Sequence, residues 1–206
     1  MSGEKLKVGV LISGRGSNLQ ALINAASVAD FPAKIVLVIS NVADAQGLAR
    51  AQAAAIETAV IEHKNFTSRE RFDDAVDKAL RDAGAELVCL AGFMRILSDP
   101  FVRRWEGRLI NIHPSLLPAF KGTHVHEQVI AARVKTSGCT VHYVVPELDS
   151  GPIIAQAEVP VAGGDTPETL AARVLETEHK LYPMALRWIA EGRVRLENGQ
   201  VLLGGR

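Results

Sequence analysis

The chain has 206 residues, 48% of them hydrophobic, enough for a substantial domain with a real core. Its 23 basic and 23 acidic residues balance. That excludes the global basic field of a typical nucleic-acid binder, so a phosphate-bearing ligand must be held by local groups.

The N-terminal stretch "MSGEKLKVGVLIS" lacks a signal-peptide layout, and no apolar run of about 18 residues follows it. A cytoplasmic chain with no membrane and no nucleic-acid partner is therefore expected. The first strand-like run leads into "SGRGSNLQAL", where two glycines permit a tight turn and Ser17 with Gln20 matches a capping box. Residues 16 to 18 then sit at a helix N-terminus, whose free N–H groups and positive dipole end favour an anion, most simply a phosphate monoester. An ordinary strand-to-helix turn is the alternative. A dinucleotide site fits less well, because Leu19 replaces the third glycine of G-x-G-x-x-G and the second strand ends in "ISNVADAQG" without an acid for a ribose. The loop also lacks the lysine of a P-loop.

Further apolar runs at "KIVLVIS", "TAVIE", "ELVCLAGF" and "RLINIH" alternate with segments of helical spacing. These include the stripes Leu19, Leu22, Ile23, Ala26 and Phe72, Val76, Ala79, Leu80, Ala83. The alternation predicts an α/β fold: a doubly wound, mainly parallel sheet, Rossmann-like in its N-terminal half and covered on both faces. Cys89 and Cys139 lie in apolar runs without metal-ligand spacing and read as buried, reduced thiols.

Asn111 and His113 in "RLINIH" are two apart and so share one face, and Pro114 ends the strand with the imidazole at its mouth. The rhythm then changes. "TVHYVV" and "PIIAQAEVPV", separated by "PELDSG", predict antiparallel C-terminal strands added to the sheet. A helix is expected from about Pro167 to Ala190, with Glu178 inside the apolar stripe Leu170, Val174, Leu181, Ala185, Trp188. A carboxylate there needs a partner. Pro183 is expected to bend or interrupt this helix, and "VRLENGQVLL" reads as a terminal hairpin turning at Asn198-Gly199. With no repeat and no linker, a single domain over 1–206 is the expected organisation.

In open α/β sheets, ligands bind beyond the carboxyl ends of the strands, where both the glycine loop and "NIHP" fall. Asp149 in "PELDSGPI" is a third candidate, although an acid in a turn-rich segment means little alone. An amide donor, an imidazole and a carboxylate suit acyl transfer to an amine: the first two hold a tetrahedral oxyanion and the acid supports proton movement. The alternative is a set of satisfied core polar groups. His124 and His126, spaced by two, and His142 on a neighbouring strand suggest a metal site. No acidic or cysteine partner shares that spacing and acyl transfer needs no Lewis acid, so no metal is expected.

The segments "VLISGRGSNLQALI", "ISNVADAQGLARA", "AGFMRILS", "INIHPSLLPAFKGTHVH", "GCTVHYVVPELDSGPI" and "TEHKLYP" occur in the order and spacing of the phosphoribosylglycinamide formyltransferases. The chain resembles that folate-dependent family over nearly its whole length. The resemblance implies transfer of the formyl group of 10-formyltetrahydrofolate to the amine of glycinamide ribonucleotide in de novo purine synthesis. Asn111, His113 and Asp149 would be catalytic. Gly16, Ser17 and Asn18 would hold the ribonucleotide phosphate, and Leu175, Glu176, Thr177 and Glu178 would lie against the same substrate. Met94, Arg95, Ile96 and Leu97 would form one wall of the folate pocket, Val145, Pro146, Glu147 and Leu148 the other, with Asn111 also facing the folate. Arg69 in "TSRERF" would meet the folate's glutamate carboxylates; its alternative is a solvated first turn of a helix.

On the same grounds the stretch from about 1 to 113 is the nucleotide-binding half, and 114 to 206 completes the folate and ribonucleotide cleft. Pro146 stands where the family more often has an acidic or small polar residue, and its missing N–H bears on one folate contact. A homodimer is left open. The competing functions are formyltetrahydrofolate hydrolase, another amine formyltransferase such as that acting on methionyl-tRNA, and a non-catalytic folate or nucleotide sensor. The hydrolase and the tRNA enzyme normally carry an additional domain that this length does not accommodate, and the intact Asn111, His113 and Asp149 set argues against a sensor.

Overall fold

The computed structural model describes residues 4–204. Its main sheet has seven strands in the order β3-β2-β1-β4-β5-β6-β7. These are β1 (Leu6–Ile12), β2 (Ala33–Ser40), β3 (Thr58–Val60), β4 (Leu87–Leu90), β5 (Leu109–His113), β6 (Thr136–Tyr143) and β7 (Ile153–Pro160). The first five pair in parallel, and β6 and β7 add antiparallel to the β5 edge. The expected doubly wound α/β fold with antiparallel C-terminal strands is thus the observed one.

Alternation along the strands divides the core between the two faces. Val8, Val10 and Ile12 of β1 face one apolar cluster, together with Leu19 and Leu22 of α1 (Ser17–Ala26), Leu48 of α2 (Gln46–Ala53), and Val174 and Leu181 of α6 (Pro167–Ala190). Leu11 faces the opposite cluster with Phe72, Val76 and Leu80 of α3 (Arg69–Asp82) and Phe101 of α4 (Asp99–Arg104). Each fully buried Leu or Phe of these stripes contributes about 1.5–3 kcal/mol. Gly9 lets α3 close on the sheet, since any Cβ there would collide with Leu80.

Two expectations need correction. Ser17 does not cap α1: Gly16 occupies the cap position in the left-handed conformation, and Ser17 is the first helical residue. The Gln20 amide N–H bonds to the Gly16 carbonyl (2.9 Å), and its side chain pairs with Asn24 (2.9 Å), so no capping box forms. The physical reason is close packing, because a Cβ on Gly16 would stand 2.6 Å from Gly47 Cα. Pro183 does not interrupt α6, which runs unbroken from Pro167 to Ala190. Beside it the Tyr182 hydroxyl reaches the carbonyls of Leu90 (3.0 Å) and Ile110 (3.2 Å), tying this helix to β4 and β5.

The terminal hairpin, β8 (Val194–Glu197) and β9 (Gln200–Leu203), turns at Asn198 and Gly199 in the left-handed region as expected. Among the described residues no helix is long and apolar enough to cross a membrane.

Candidate active site

The strand order reverses at β1 and β4, so their carboxyl ends open the crevice in which sheets of this class bind ligands. The loops leaving the two strands are joined there. The Ser13 amide donates to the Gly92 carbonyl (3.1 Å), and the Met94 amide donates to Ser13 Oγ (2.7 Å). Next to them lies a cavity of about 650 Å³. Met94, Arg95, Ile96 and Leu97 line one side and Val145, Pro146 and Leu148 another, with Asn111, His113 and Asp149 also in its lining.

Asn111 and His113 reach this cavity because β5 alternates and ends at Pro114. His113 is nearly buried, with Nε2 2.9 Å from the Phe120 carbonyl and Nδ1 3.5 Å from Asp149 Oδ2. Since a carbonyl only accepts, the proton on that side belongs to Nε2, and Nδ1 faces the carboxylate. The Ser115 hydroxyl donates to the Ala119 carbonyl (2.6 Å) and approaches that of Phe120 (3.2 Å), which holds the turn bearing the His113 acceptor.

Asp149 arrives from the β6–β7 connection at a left-handed φ of 47°. Gly151 permits that connection to fold back, being so close to the Tyr143 carbonyl that no Cβ fits. The Gly122 amide donates to Asp149 Oδ2 (2.9 Å), so both loops flanking β5 and β6 meet at this carboxylate.

A fourth polar residue joins the three. His142 stands directly across the antiparallel ladder from Asn111, its Nε2 3.2 Å from Asn111 Nδ2 and 3.9 Å from Asp149 Oδ1. Its Nδ1 lies 2.9 Å from the Tyr143 carbonyl, which places the proton on Nδ1 and leaves Nε2 to accept from the Asn111 amide. Burial lowers the His142 pKa from its ordinary value, favouring this neutral ring. His124 and His126 also line the cavity; burial lowers the pKa of His126, whose Nδ1 has no hydrogen-bond partner among the described residues. From the sequence, His126 and His142 stood out only as possible metal ligands; their place beside this cavity and the contact of His142 with Asn111 were missed. The only signal was the alternation of "TVHYVV", which fixes a face but not a register.

The glycine loop and α6 meet away from the cavity lining. Asn18 Nδ2 donates to Glu178 Oε2 (2.8 Å), linking positions 160 apart in sequence. Burial pushes the Glu178 carboxyl up to about 6, partly offset by this bond. Asn18 Oδ1 remains buried without a partner among the described residues. The amides of Ser17, Asn18 and Leu19 have no intrahelical acceptor, and Arg50 fixes the loop through the Arg15 carbonyl (2.9 Å). Leu175 and Thr177 are half-buried on α6, and Glu176 is exposed. Arg69 opens α3 as an exposed residue; neither it nor the exposed Glu147 is part of the cavity lining. Cys89 and Cys139 are buried, each thiol pushed up to about 12 by desolvation, which leaves them protonated and poor nucleophiles.

The sheet order agrees with the comparisons to known proteins. The formyl transferase family model matches residues 6–186, and the chain belongs to the formyl transferase family. Within that family it belongs with the phosphoribosylglycinamide formyltransferases. The protein of that name from Haemophilus influenzae is 44% identical over 97% of this chain and 94% of its own length. A glycinamide ribonucleotide transformylase structure from Symbiobacterium toebii superposes with a TM-score of 0.95 at 44% identity, covering 98% of this chain and 96% of that one. The trifunctional purine biosynthetic protein adenosine-3 of Gallus gallus is 54% identical over 96% of this chain. The chain spans only 20% of that longer protein.

Proposed function

We propose that the chain transfers the formyl group of 10-formyltetrahydrofolate to the amine of 5-phosphoribosylglycinamide, giving formylglycinamide ribonucleotide and tetrahydrofolate. The convergence of Asn111, His113 and Asp149 on one cavity carries this reading, with support from the full-length relatives named above. The folate would lie between the 94–97 wall and Val145, Pro146, Glu147 and Leu148, with Arg69 toward its glutamate carboxylates. Gly16, Ser17 and Asn18 would take the ribonucleotide phosphate, and Leu175, Glu176, Thr177 and Glu178 would face its sugar and amine. In this arrangement residues 1–113 supply the nucleotide-binding half and 114–206 complete the cleft.

The neutral glycinamide nitrogen attacks the formyl carbon, forming a C–N bond while the carbonyl electron pair moves onto oxygen. The Asn111 amide donates to that oxyanion, its orientation held by the His142 acceptor. His113, fixed through Nε2 on the Phe120 carbonyl, presents protonated Nδ1 to the oxyanion and to Asp149. Collapse of the tetrahedral centre re-forms the carbonyl and breaks its bond to the folate nitrogen. The proton lost by the attacking amine passes through Asp149 to that departing nitrogen. Holding both substrates beside this set supplies much of the rate by orientation.

Deformylation of 10-formyltetrahydrofolate by the purified chain, followed with and without the ribonucleotide, tests the function. The expected result is one formylglycinamide ribonucleotide per tetrahydrofolate and negligible release without the ribonucleotide. Ribonucleotide-independent release would identify a hydrolase, and no release with both substrates present would leave a sensor.

A further inference from the structure

The 94–97 wall belongs to no helix or strand, yet it lines the cavity. Side chains hold both of its ends. At the first, Ser13 Oγ accepts from the Met94 amide (2.7 Å) while donating to Asn41 Oδ1 (2.6 Å). At the second, Asp73 Oδ2 accepts from the Ser98 amide (2.6 Å). Asp73 is a 1%-exposed carboxylate on α3, and Ser98 is the residue that opens α4.

Burial pushes the Asp73 carboxyl up from its ordinary range, and hydrogen bonds from Ser98 oppose that shift. Asp73 Oδ1 has no hydrogen-bond partner among the described residues, and neither does the buried Nε of Arg95, a wall residue whose charge acts on Asp73. Arg95 instead lies over the Phe72 ring, 5.1 Å from its centre. The acid thus fixes one end of the wall through Ser98.

One helical turn further on, Asp77 is equally buried but pairs with Arg81 of its own helix (2.9 Å) and with the far end of α4. It accepts from Trp105 Nε1 (3.0 Å) and Arg104 Nη1 (2.9 Å). The two aspartates are matched in burial and in helix, but Asp73 holds Ser98, the residue that follows the wall, whereas Asp77 pairs with two arginines.

We infer that Asp73 is a positioning residue for the formyl donor, setting the height of the 94–97 wall so that its backbone meets the bound folate. This rests on the proposed formyl transfer from a folate. Asp73 touches no reacting atom, so its loss should weaken donor binding and leave the chemical step intact.

The test is steady-state kinetics of the full chain with 10-formyltetrahydrofolate and 5-phosphoribosylglycinamide, comparing wild type with Asp73→Ala, Asp73→Asn and Asp77→Asn. Asp73→Ala is expected to raise the folate KM about tenfold, the scale of one lost charge-assisted hydrogen bond, with kcat and the ribonucleotide KM within about twofold. Asp73→Asn keeps an acceptor oxygen for the Ser98 amide and should stay within about threefold of wild type. Asp77→Asn should lower the melting temperature without moving the folate KM. Should Asp73→Ala fail to fold, Ser98→Pro removes the same amide donor from the wall's end and carries the same expectation. An unchanged folate KM in the folded variant, or an equal rise in both KM values, overturns the inference while wild-type turnover still upholds the function. Absence of turnover in the wild type overturns both.

Discussion

Asn111 and His142 face each other across β5 and β6, with the amide nitrogen 3.2 Å from His142 Nε2. One of the two amide hydrogens is thereby committed to the histidine, and Asn111 also lines the cavity. On the proposed mechanism, the geometry of the oxyanion donor is set by a residue on a different strand. His142→Ala should lower kcat about tenfold, with both KM values within about twofold, because orientation rather than binding is lost. Steady-state kinetics checks the split.

The same histidine makes an acid-side prediction. Burial lowers its folded pKa below the unfolded value, so its contribution to stability is complete above about 6.5 and is lost as pH falls through the folded pKa. Protonated Nε2 also cannot accept from Asn111. Thermal unfolding between pH 7 and pH 5 should therefore show a smaller loss of stability in His142→Phe than in wild type.

Glu178 has the opposite sign. Desolvation raises its carboxyl from 4.5 to about 6, so the folded state favours the protonated form and stability falls as pH rises through that window. The shift corresponds to a cost on the order of 2 kcal/mol at neutral pH. Glu178→Gln should raise the melting temperature at pH 7, lose that advantage below about pH 4.5, and weaken ribonucleotide binding about tenfold. Calorimetry at the two pH values and the ribonucleotide KM measure these effects separately.

Gly16 has a φ of 69° and no room for a Cβ against the Gly47 backbone. Gly16→Ala should destabilise the fold by about 1–3 kcal/mol and raise the ribonucleotide KM more than the folate KM. Denaturant titration and kinetics on the same preparation test both.

Both thiols are buried and held protonated, so neither takes part in transfer on this account. Iodoacetamide at pH 8 should leave the native chain unmodified and active, as mass spectrometry and turnover will report.

The fold was legible wherever a pattern is local. The strand runs ending at Ile12, Ser40 and His113, the bounds of α6 and the Asn198-Gly199 turn all follow from alternation, helical stripes or turn chemistry. So did the shared face of Asn111 and His113 and the need of Glu178 for a partner, which proved to be Asn18. What escaped depends on contacts distant in sequence. The capping box at Ser17 was displaced by Gly16 packing on Gly47, and His142 became Asn111's partner only through an antiparallel register that no local signal sets. Asp149 was a candidate by residue type and turn position but carried little weight without the family resemblance, since its reach into the cavity requires a left-handed residue in an otherwise ordinary acidic turn.

On the proposed mechanism, Asn111, His113 and Asp149 together perform the transfer. Single-turnover deformylation with both substrates saturating tests it most directly on Asn111→Ala, whose missing oxyanion donor should slow the chemical step about 100- to 1000-fold. Near-wild-type turnover by a folded Asn111→Ala chain would contradict the account.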